Sequence, residues 1–272
     1  MFIPLHDGKP VRYISLQWVT LTIIAINVLV FVALMPFAPP DGSAGSLVVG
    51  LGHVPSVSND LRSLPVAFQV LPDNLYFLTG ITYAFVHSDW WHLAGNMLFL
   101  WVFGDNVEDA LGHFRYLVFY LAAAFVAAWF HTFMFPDSDA PLIGASGSAA
   151  AIVAAYLMLH PKMKIWVLVF ARIPLRLPAL WILGAWIIFQ VVMFFADDDE
   201  QISWAAHLGG IVAGLVMVAP LKRRDIALFD RDLVRMETPV PEIPREELDK
   251  IKPVRAGGSQ RWGRGGRSHD ND

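Results

Sequence analysis

Gly144-Ala145-Ser146-Gly147, followed by Ser148-Ala-Ala-Ala-Ile-Val-Ala-Ala-Tyr156, sets a serine between two glycines at the head of a run of small apolar residues. The run opens a helix that reaches about His160, where Pro161 removes a backbone donor and stops it. About fifteen residues rising ~1.5 Å each span ~22 Å, short of the ~30 Å of hydrocarbon in a bilayer. One end of the helix therefore begins inside the membrane. Lys162 and Lys164 hold the His160 end at an interface, which leaves Ser146 below the opposite surface. Irregular backbone at that depth is tolerated only where protein buries it or water reaches it. The stretch predicts a hydroxyl at the floor of a wet cavity within a membrane.

Composition tests the membrane premise. Hydrophobic residues make up 56% of the 272 and charged ones 16%, against about a quarter charged in a soluble domain. With a mean hydropathy of +0.49, the chain reads as a multi-pass integral membrane protein. The net charge of −4 says little, because what matters in a membrane protein is where the charges sit. The chain has no cysteine, so a disulfide framework, a thiolate nucleophile and a zinc-thiolate site are all excluded.

Six spans follow along the chain. Residues 1–13 form a short polar segment with Lys9 and Arg12, and the apolar run Leu16 to Met35 is a first span that stays rather than a cleaved signal. Asn27 within it reads as interhelical glue, with a functional role as the alternative. Ala38 to Asn74 is a Pro/Gly/Ser-rich connection, part of which is expected to fold onto the membrane surface. His87-Ser-Asp89 divides the next apolar stretch into an interfacial helix ending near Val86 and a second span starting at Trp90, with Trp90 and Trp91 at the interface. A polar turn containing Asp105, Glu108, Asp109, Gly112 and Arg115 precedes the third span, Phe114 to Phe135. The serine helix is the fourth. The run Ile165 to Ala171 is too short to cross and reads as interfacial; Ala179 to Phe195 is the fifth span and Ile202 to Leu221 the sixth. Residues 221–272 are charged, rich in Pro and Gly, and read as a disordered tail. Its Arg261-Trp-Gly-Arg-Gly-Gly-Arg267 end is read as solvated, with contact to nucleic acid or acidic lipid the weaker alternative, and no nucleic-acid partner is expected.

Charge placement orients this arrangement. Lys9, Arg12, Arg115, Lys162, Lys164, Arg172, Arg176, Lys222, Arg223 and Arg224 all fall on the side that holds both termini, whereas the other side has Arg62 and the acidic loops. The positive-inside rule puts both termini in the cytoplasm and Ser146 near the external face.

A serine hydroxyl is a weak nucleophile until a base lies within hydrogen-bond reach. Of nine histidines, His6, His53 and His269 are in polar segments, and His113 and His160 lie at cytoplasmic span ends. His131 is isolated. His207 lies about one turn into the sixth span with Gly210 and Gly214 at i+3 and i+7 on its face. Those glycines match the small surface of Gly147, Ala150 and Ala154, so close packing of the fourth and sixth spans brings Ser146 and His207 together; a histidine that only bridges helices is the alternative. His92 and Asn96 share one face of the second span near the same end. Their N–H groups suit an oxyanion, together with the backbone N–H of Ser146 at its helix start, although a polar pair that merely joins helices would look the same. His87 reads as a loop anchor rather than a group that does chemistry.

Gly144-Ala-Ser146-Gly147, then Ala206-His207-Leu-Gly-Gly210-Ile-Val-Ala-Gly214, preceded by His87-Ser-Asp-Trp-Trp-His92-Leu-Ala-Gly-Asn96, resembles the rhomboid intramembrane serine proteases, and Trp101 to Gly112 resembles their bacterial branch. The likeness covers residues 14–220. It implies an all-α, six-transmembrane-helix bundle in which Ser146 and His207 form a dyad without a third acidic member, and His92, Asn96 and the Ser146 amide form the oxyanion pocket. It also implies a mobile fifth span admitting substrate sideways, for which Trp181, Trp186 and Phe189 serve equally well as gate or as lipid-facing aromatics. The implied substrates are single-pass membrane proteins with a helix-weakening sequence near their outer boundary, cut in a bacterial cytoplasmic membrane. Gly144, Gly147, Gly210, Gly214 and His87 support the motifs, and no metal, cofactor or obligate protein partner is implied.

The chain departs from the pattern at two places. Some relatives carry an aromatic residue one turn after the nucleophile that packs on the histidine, where this chain has Ala150, so the group that orients His207 is not read from the motif. The Trp-Arg pair found in the external loop of some relatives is missing too. Beside the endopeptidase stands a second reading, a non-catalytic rhomboid-like protein that binds membrane helices, though proteins of that kind lack the serine or the histidine. A transporter would call for paired half-helices or repeats, and an α/β-hydrolase elbow would need glycine where Ser148 stands.

Overall fold

The computed structural model describes residues 2–8, 10–35, 76–135, 142–169, 172–196 and 203–229, all within one compact unit, Met1–Leu233. In chain order these form β1 (Phe2–His6), α1 (Trp18–Leu34), α2 (Tyr76–Thr82) with a 3-10 turn (Tyr83–Phe85), α3 (Trp90–Leu111), α4 (His113–Met134), α5 (Ser146–Leu159), β2 (Lys164–Val169), β3 (Ile173–Pro178), α6 (Ala179–Ala196) and α7 (Trp204–Leu221). Three of the helices, α4, α6 and α7, are long and apolar enough to cross a membrane by length and composition. The 38–74 connection, the acidic loop at 197–200 and the tail from 230 onward lie outside the described residues.

Local chemistry explains where the helices start. The Asp89 carboxylate accepts the backbone N–H groups of Trp91 (2.8 Å) and His92 (2.9 Å), satisfying donors that the first turn of α3 leaves free. Ser203 caps α7 by accepting from Ala206 N at 3.2 Å. α1 has no side-chain cap of its own at Gln17. Glu108 of α3 does that work across the fold, accepting from Val19 N (3.0 Å), Thr20 N (2.8 Å) and Thr20 Oγ1 (2.7 Å).

The polar turn expected from Asp105 onward is not a turn, because α3 continues through it to Leu111 and ends at Gly112, whose φ of +83° suits only glycine. Glu108 and Asp109 stay helical because residues 12–20 supply N–H groups to them, while Asp105 accepts from its neighbour Asn106. Asp109 accepts the N–H groups of Arg12 (3.0 Å), Tyr13 (2.6 Å) and Ile14 (2.9 Å). Asn106 donates to buried Asp7 at 2.7 Å, and the Tyr156 hydroxyl donates to the same carboxylate at 2.8 Å.

The all-α expectation is also corrected, since the fold is mostly helical but carries a three-stranded antiparallel sheet in the order β1-β2-β3. The short run read as interfacial is the central strand. Lys164-Ile-Trp-Val alternates, with Ile165 and Val167 fully buried and Trp166 exposed, which is the period of a half-buried strand. Pro174 and Pro178 sit on β3, which pairs only with β2, an edge where a missing N–H costs no ladder bond. The N-terminal segment is no loose leader either: Phe2 pairs with Val169 and Pro4 with Val167. Beyond α7, Arg223 N donates to Ala110 O (2.9 Å) and Phe229 N to Met158 O (2.7 Å), so the boundary expected at residue 221 falls inside packed structure.

The serine helix α5 is the centre, buried from Gly147 to Tyr156 and again at Leu159. It is packed on α7 at backbone distance, since a Cβ added to Gly210 would overlap the Gly147 carbonyl and one added to Gly214 the Ala151 carbonyl. On the neighbouring side of α7, a Cβ on Gly209 would come within 2.6 Å of Phe130 Cβ on α4.

Two substitutions follow from this packing. Glu108→Ala leaves three donors of α1, two of them buried, without an acceptor and is expected to cost about 3 kcal/mol or more, read as a lowered thermal midpoint in detergent. Gly214→Ala lowers the midpoint by forcing α5 and α7 apart, about 1–3 kcal/mol. Gly184→Ala on α6, where an added Cβ meets no atom within 4 Å, leaves the midpoint unchanged or raises it.

Candidate active site

Ser146 is the first residue of α5, partly exposed, at the end where α5 meets the start of α7. A Cβ added to Gly147 would stand 3.5 Å from Ala206 O, the carbonyl next to His207. The Gly147–Gly210 approach thus brings together the ends of the two helices that carry Ser146 and His207.

Two groups pin the loop ahead of the serine. The Gly144 N–H donates to Tyr83 O at 3.1 Å, and the Ala145 N–H donates to His87 Nε2 at 3.4 Å. His87 is buried and serves as a loop anchor, its ring packed edge-to-face on His92 with centroids 5.1 Å apart. The turn between these bonds needs glycine, because Gly144 has a φ of +106°.

What stands over Gly144 is the most informative feature of the site. A Cβ placed on that residue would lie 2.5 Å from His92 Nε2 and 3.4 Å from Asn96 Nδ2. Both nitrogens come from one face of α3, four residues apart. Asn96 Nδ2 is buried and has no hydrogen-bond partner among the described residues, an orphan donor of the kind that calls for an explanation. Two side-chain nitrogens thus close on Gly144, leaving no room for a Cβ, beside a helix start whose first N–H groups have no intrahelical acceptors. Ser88 Oγ lies 3.1 Å from His92 Nδ1 and 2.8 Å from Asp89 Oδ2. The Asp89 carboxyl, outside the helix proper, is held below its ordinary pKa first by the His92 backbone N–H.

His207 is engaged by a residue that sequence reasoning passed over. Its Nδ1 lies 2.7 Å from Oε1 of Gln190, on α6. The signal was present, since Gln190 is the one hydrogen-bonding side chain apart from indoles in the Ala179–Ala196 run, and polar groups at such depth are rarely idle. Trp204 packs edge-to-face on the His207 ring at 5.7 Å. His131, the other candidate base, is bound to Ser203 Oγ at 2.7 Å instead. Among the proposed gate aromatics, Trp181 and Phe189 are exposed, while Trp186 packs on Phe99 of α3 with centroids 5.7 Å apart. Among the described residues no cluster of His, Cys, Asp and Glu could hold a metal ion.

A rhomboid domain model matches residues 75–224, more than half of the 272 residues. RHOMBOID-like protein 12, mitochondrial, of Arabidopsis thaliana is 29% identical over 161 residues, 53% of this chain and 46% of the relative. Rhomboid protein 1, mitochondrial, of Saccharomyces cerevisiae is 30% identical over 142 residues, 49% of this chain and 38% of the relative. Rhomboid protease AarA of Providencia stuartii is 24% identical over 219 residues, 73% and 70% of the two chains. The chain thus spans less than half the length of the two mitochondrial relatives. The matched domain implies a multi-pass integral membrane protein, as the composition does. With that domain covering the serine loop, the α3 nitrogens and the glycine face of α7, the chain belongs to the rhomboid family.

Proposed function

We propose that the protein is an intramembrane serine endopeptidase in which Ser146 and His207 form the dyad. The observation that carries this reading is the convergence of His92 Nε2 and the unpartnered Asn96 Nδ2 on the space over Gly144, two residues before the serine. Two donors aimed at one point beside a nucleophile are what a tetrahedral intermediate needs.

The Gln190 amide oxygen can only accept, so His207 Nδ1 carries the ring hydrogen and Nε2 keeps its lone pair. That lone pair takes the Ser146 proton as Oγ attacks the scissile carbonyl carbon. The carbonyl oxygen becomes an oxyanion held by Asn96 Nδ2–H, His92 Nε2–H and the Ser146 backbone N–H. His92 donates through Nε2 only when Nδ1 accepts, which requires the Ser88 hydroxyl to turn its one hydrogen from Asp89 Oδ2 (2.8 Å) to His92 Nδ1 (3.1 Å). His207 then gives its proton to the departing amine, and water hydrolyses the acyl-enzyme by the same steps in reverse.

Six helices, α1 and α3 to α7, cross the membrane in this reading. α5, at 14 residues, spans only ~21 Å, which sets Ser146 below the surface. The protease domain is residues 14–220, to which β1 and residues 222–229 are added by their packing. Both termini face the cytoplasm by the positive-inside rule. The membrane is a bacterial cytoplasmic one, a placement supported by the Providencia stuartii protease, the longest of the quoted matches at 219 residues. Substrates are single-pass proteins whose helix unwinds near its outer end, because a peptide bond in an intact helix is hydrogen-bonded and shielded.

The test is cleavage of a single-span reporter in proteoliposomes, with fluorophosphonate labelling in parallel. Ser146→Ala and His207→Ala are expected to abolish both, and equal labelling of all three proteins would remove the dyad. Asn96→Ala is expected to lower turnover about 10²-fold or more with the protein still folded. Gly144→Ala is expected to be as damaging, since its methyl group would occupy the space the oxyanion needs.

A further inference from the structure

We infer that Gln190 is the positioning residue for His207, fixing both the tautomer and the direction of its ring. The inference rests on the dyad reading above and adds a member to it. Three observations converge. Gln190 is 2% exposed on a helix that otherwise buries only Ala179 and Leu183, so an amide has been turned inward from a helix whose other faces are apolar and largely outside the packed core. Its Oε1 lies 2.7 Å from His207 Nδ1. The position from which a ring on α5 could have supported the imidazole is occupied by Ala150, fully buried and without a polar atom.

The chemistry of the pair is specific. A neutral imidazole has one N–H and one lone pair, and which nitrogen holds which is decided by what the other nitrogen bonds to. An amide oxygen offers no hydrogen, so at Nδ1 it selects the tautomer with Nε2 free to accept. Trp204 limits the ring from the side. An imidazole that tumbled, or that carried its hydrogen on Nε2, would present the serine with a donor instead of an acceptor. Gln190 touches no reacting atom and acts through His207 alone.

A bond that merely joins α6 to α7 would have the same geometry, so the test must separate the two roles. Among the described residues few titratable groups face His207: His92 on α3 acts on it through space, α6 has no ionisable side chain and α5 has only Tyr156, and His131 on α4 is engaged by Ser203. Among the described residues the pH dependence of serine reactivity therefore reports on His207 with His92 as the titratable neighbour. The experiment measures the second-order rate of fluorophosphonate labelling of the full-length protein in detergent from pH 5 to 9 for the parent, Gln190→Met, Gln190→Glu and Ser146→Ala.

Gln190→Met is expected to label about 10–100-fold more slowly, part of what a positioned base contributes. Gln190→Glu restores most of the rate, because its carboxyl oxygen accepts the same hydrogen, and moves the acid limb of the profile to higher pH, because a carboxylate favours the imidazolium. Parent-like labelling of Gln190→Met overturns the inference. So does an equal fall in Gln190→Met and Gln190→Glu with the acid limb unmoved, which marks a bond that only joins helices. If the methionine variant does not fold, the acid limb of Gln190→Glu decides alone, an unmoved limb overturning the proposal. Undiminished labelling of Ser146→Ala would instead sink the dyad itself, a result distinct from failure of the Gln190 role.

Discussion

Backbone contact between α5 and α7 is the constraint on which the rest of the structure depends. Inside a bilayer, apolar side chains gain little by leaving lipid for protein, so helices associate through close packing and through polar groups that have no better partner. Gly210 and Gly214 face the carbonyls of Gly147 and Ala151 with no room for a Cβ. Any side chain there would separate the helices. A serine on one and a histidine on the other are useful to each other only while the two backbones stay this close.

The second support is α3, which carries polar groups of different purpose at its two ends. Near Trp90 it presents His92 and Asn96 to Gly144. Near Leu111 it presents Glu108, Asp109 and Asn106 to the N-terminal segment, where they take up the free N–H groups at the start of α1, those of residues 12–14, and the Asp7 carboxylate. A rigid helix fixed at one end holds its other end still, and an oxyanion pocket works only if its donors are in place before charge develops. By contrast α6 buries three residues, Gln190 among them. The least buried of the long helices therefore carries the partner of His207.

Much of the fold was legible because hydrophobic runs of span length, broken by Pro, Gly and charge, leave few alternatives. The bounds of α1, α4, α5, α6 and α7 lie within two residues of those read from the sequence. Misreadings fell where partners distant in sequence decide local structure. Glu108 and Asp109 look like part of a solvated turn until the N–H groups of residues 12–20 that they accept from are known. Ile165 to Val169 looks interfacial until β1, from the other end of the chain, is seen to pair with it. For Gln190 the signal existed as an isolated amide in an apolar run, but its partner lies 17 residues away on another helix.

By itself the amino-acid order determined that this chain enters a membrane, that the serine helix is too short to cross it, and which side chains share a helix face. These are properties of length, periodicity and residue type, and they need no knowledge of neighbours. Tertiary structure alone decided which faces meet and which polar groups pair. That Asn96 Nδ2 has no partner among the described residues, that Glu108 caps a helix 88 residues away, and that the His207 ring is bonded from α6 all depend on distances between segments. Such distances arise only when every helix has found its neighbours, because each polar group buried in lipid takes the partner that the finished packing brings to it.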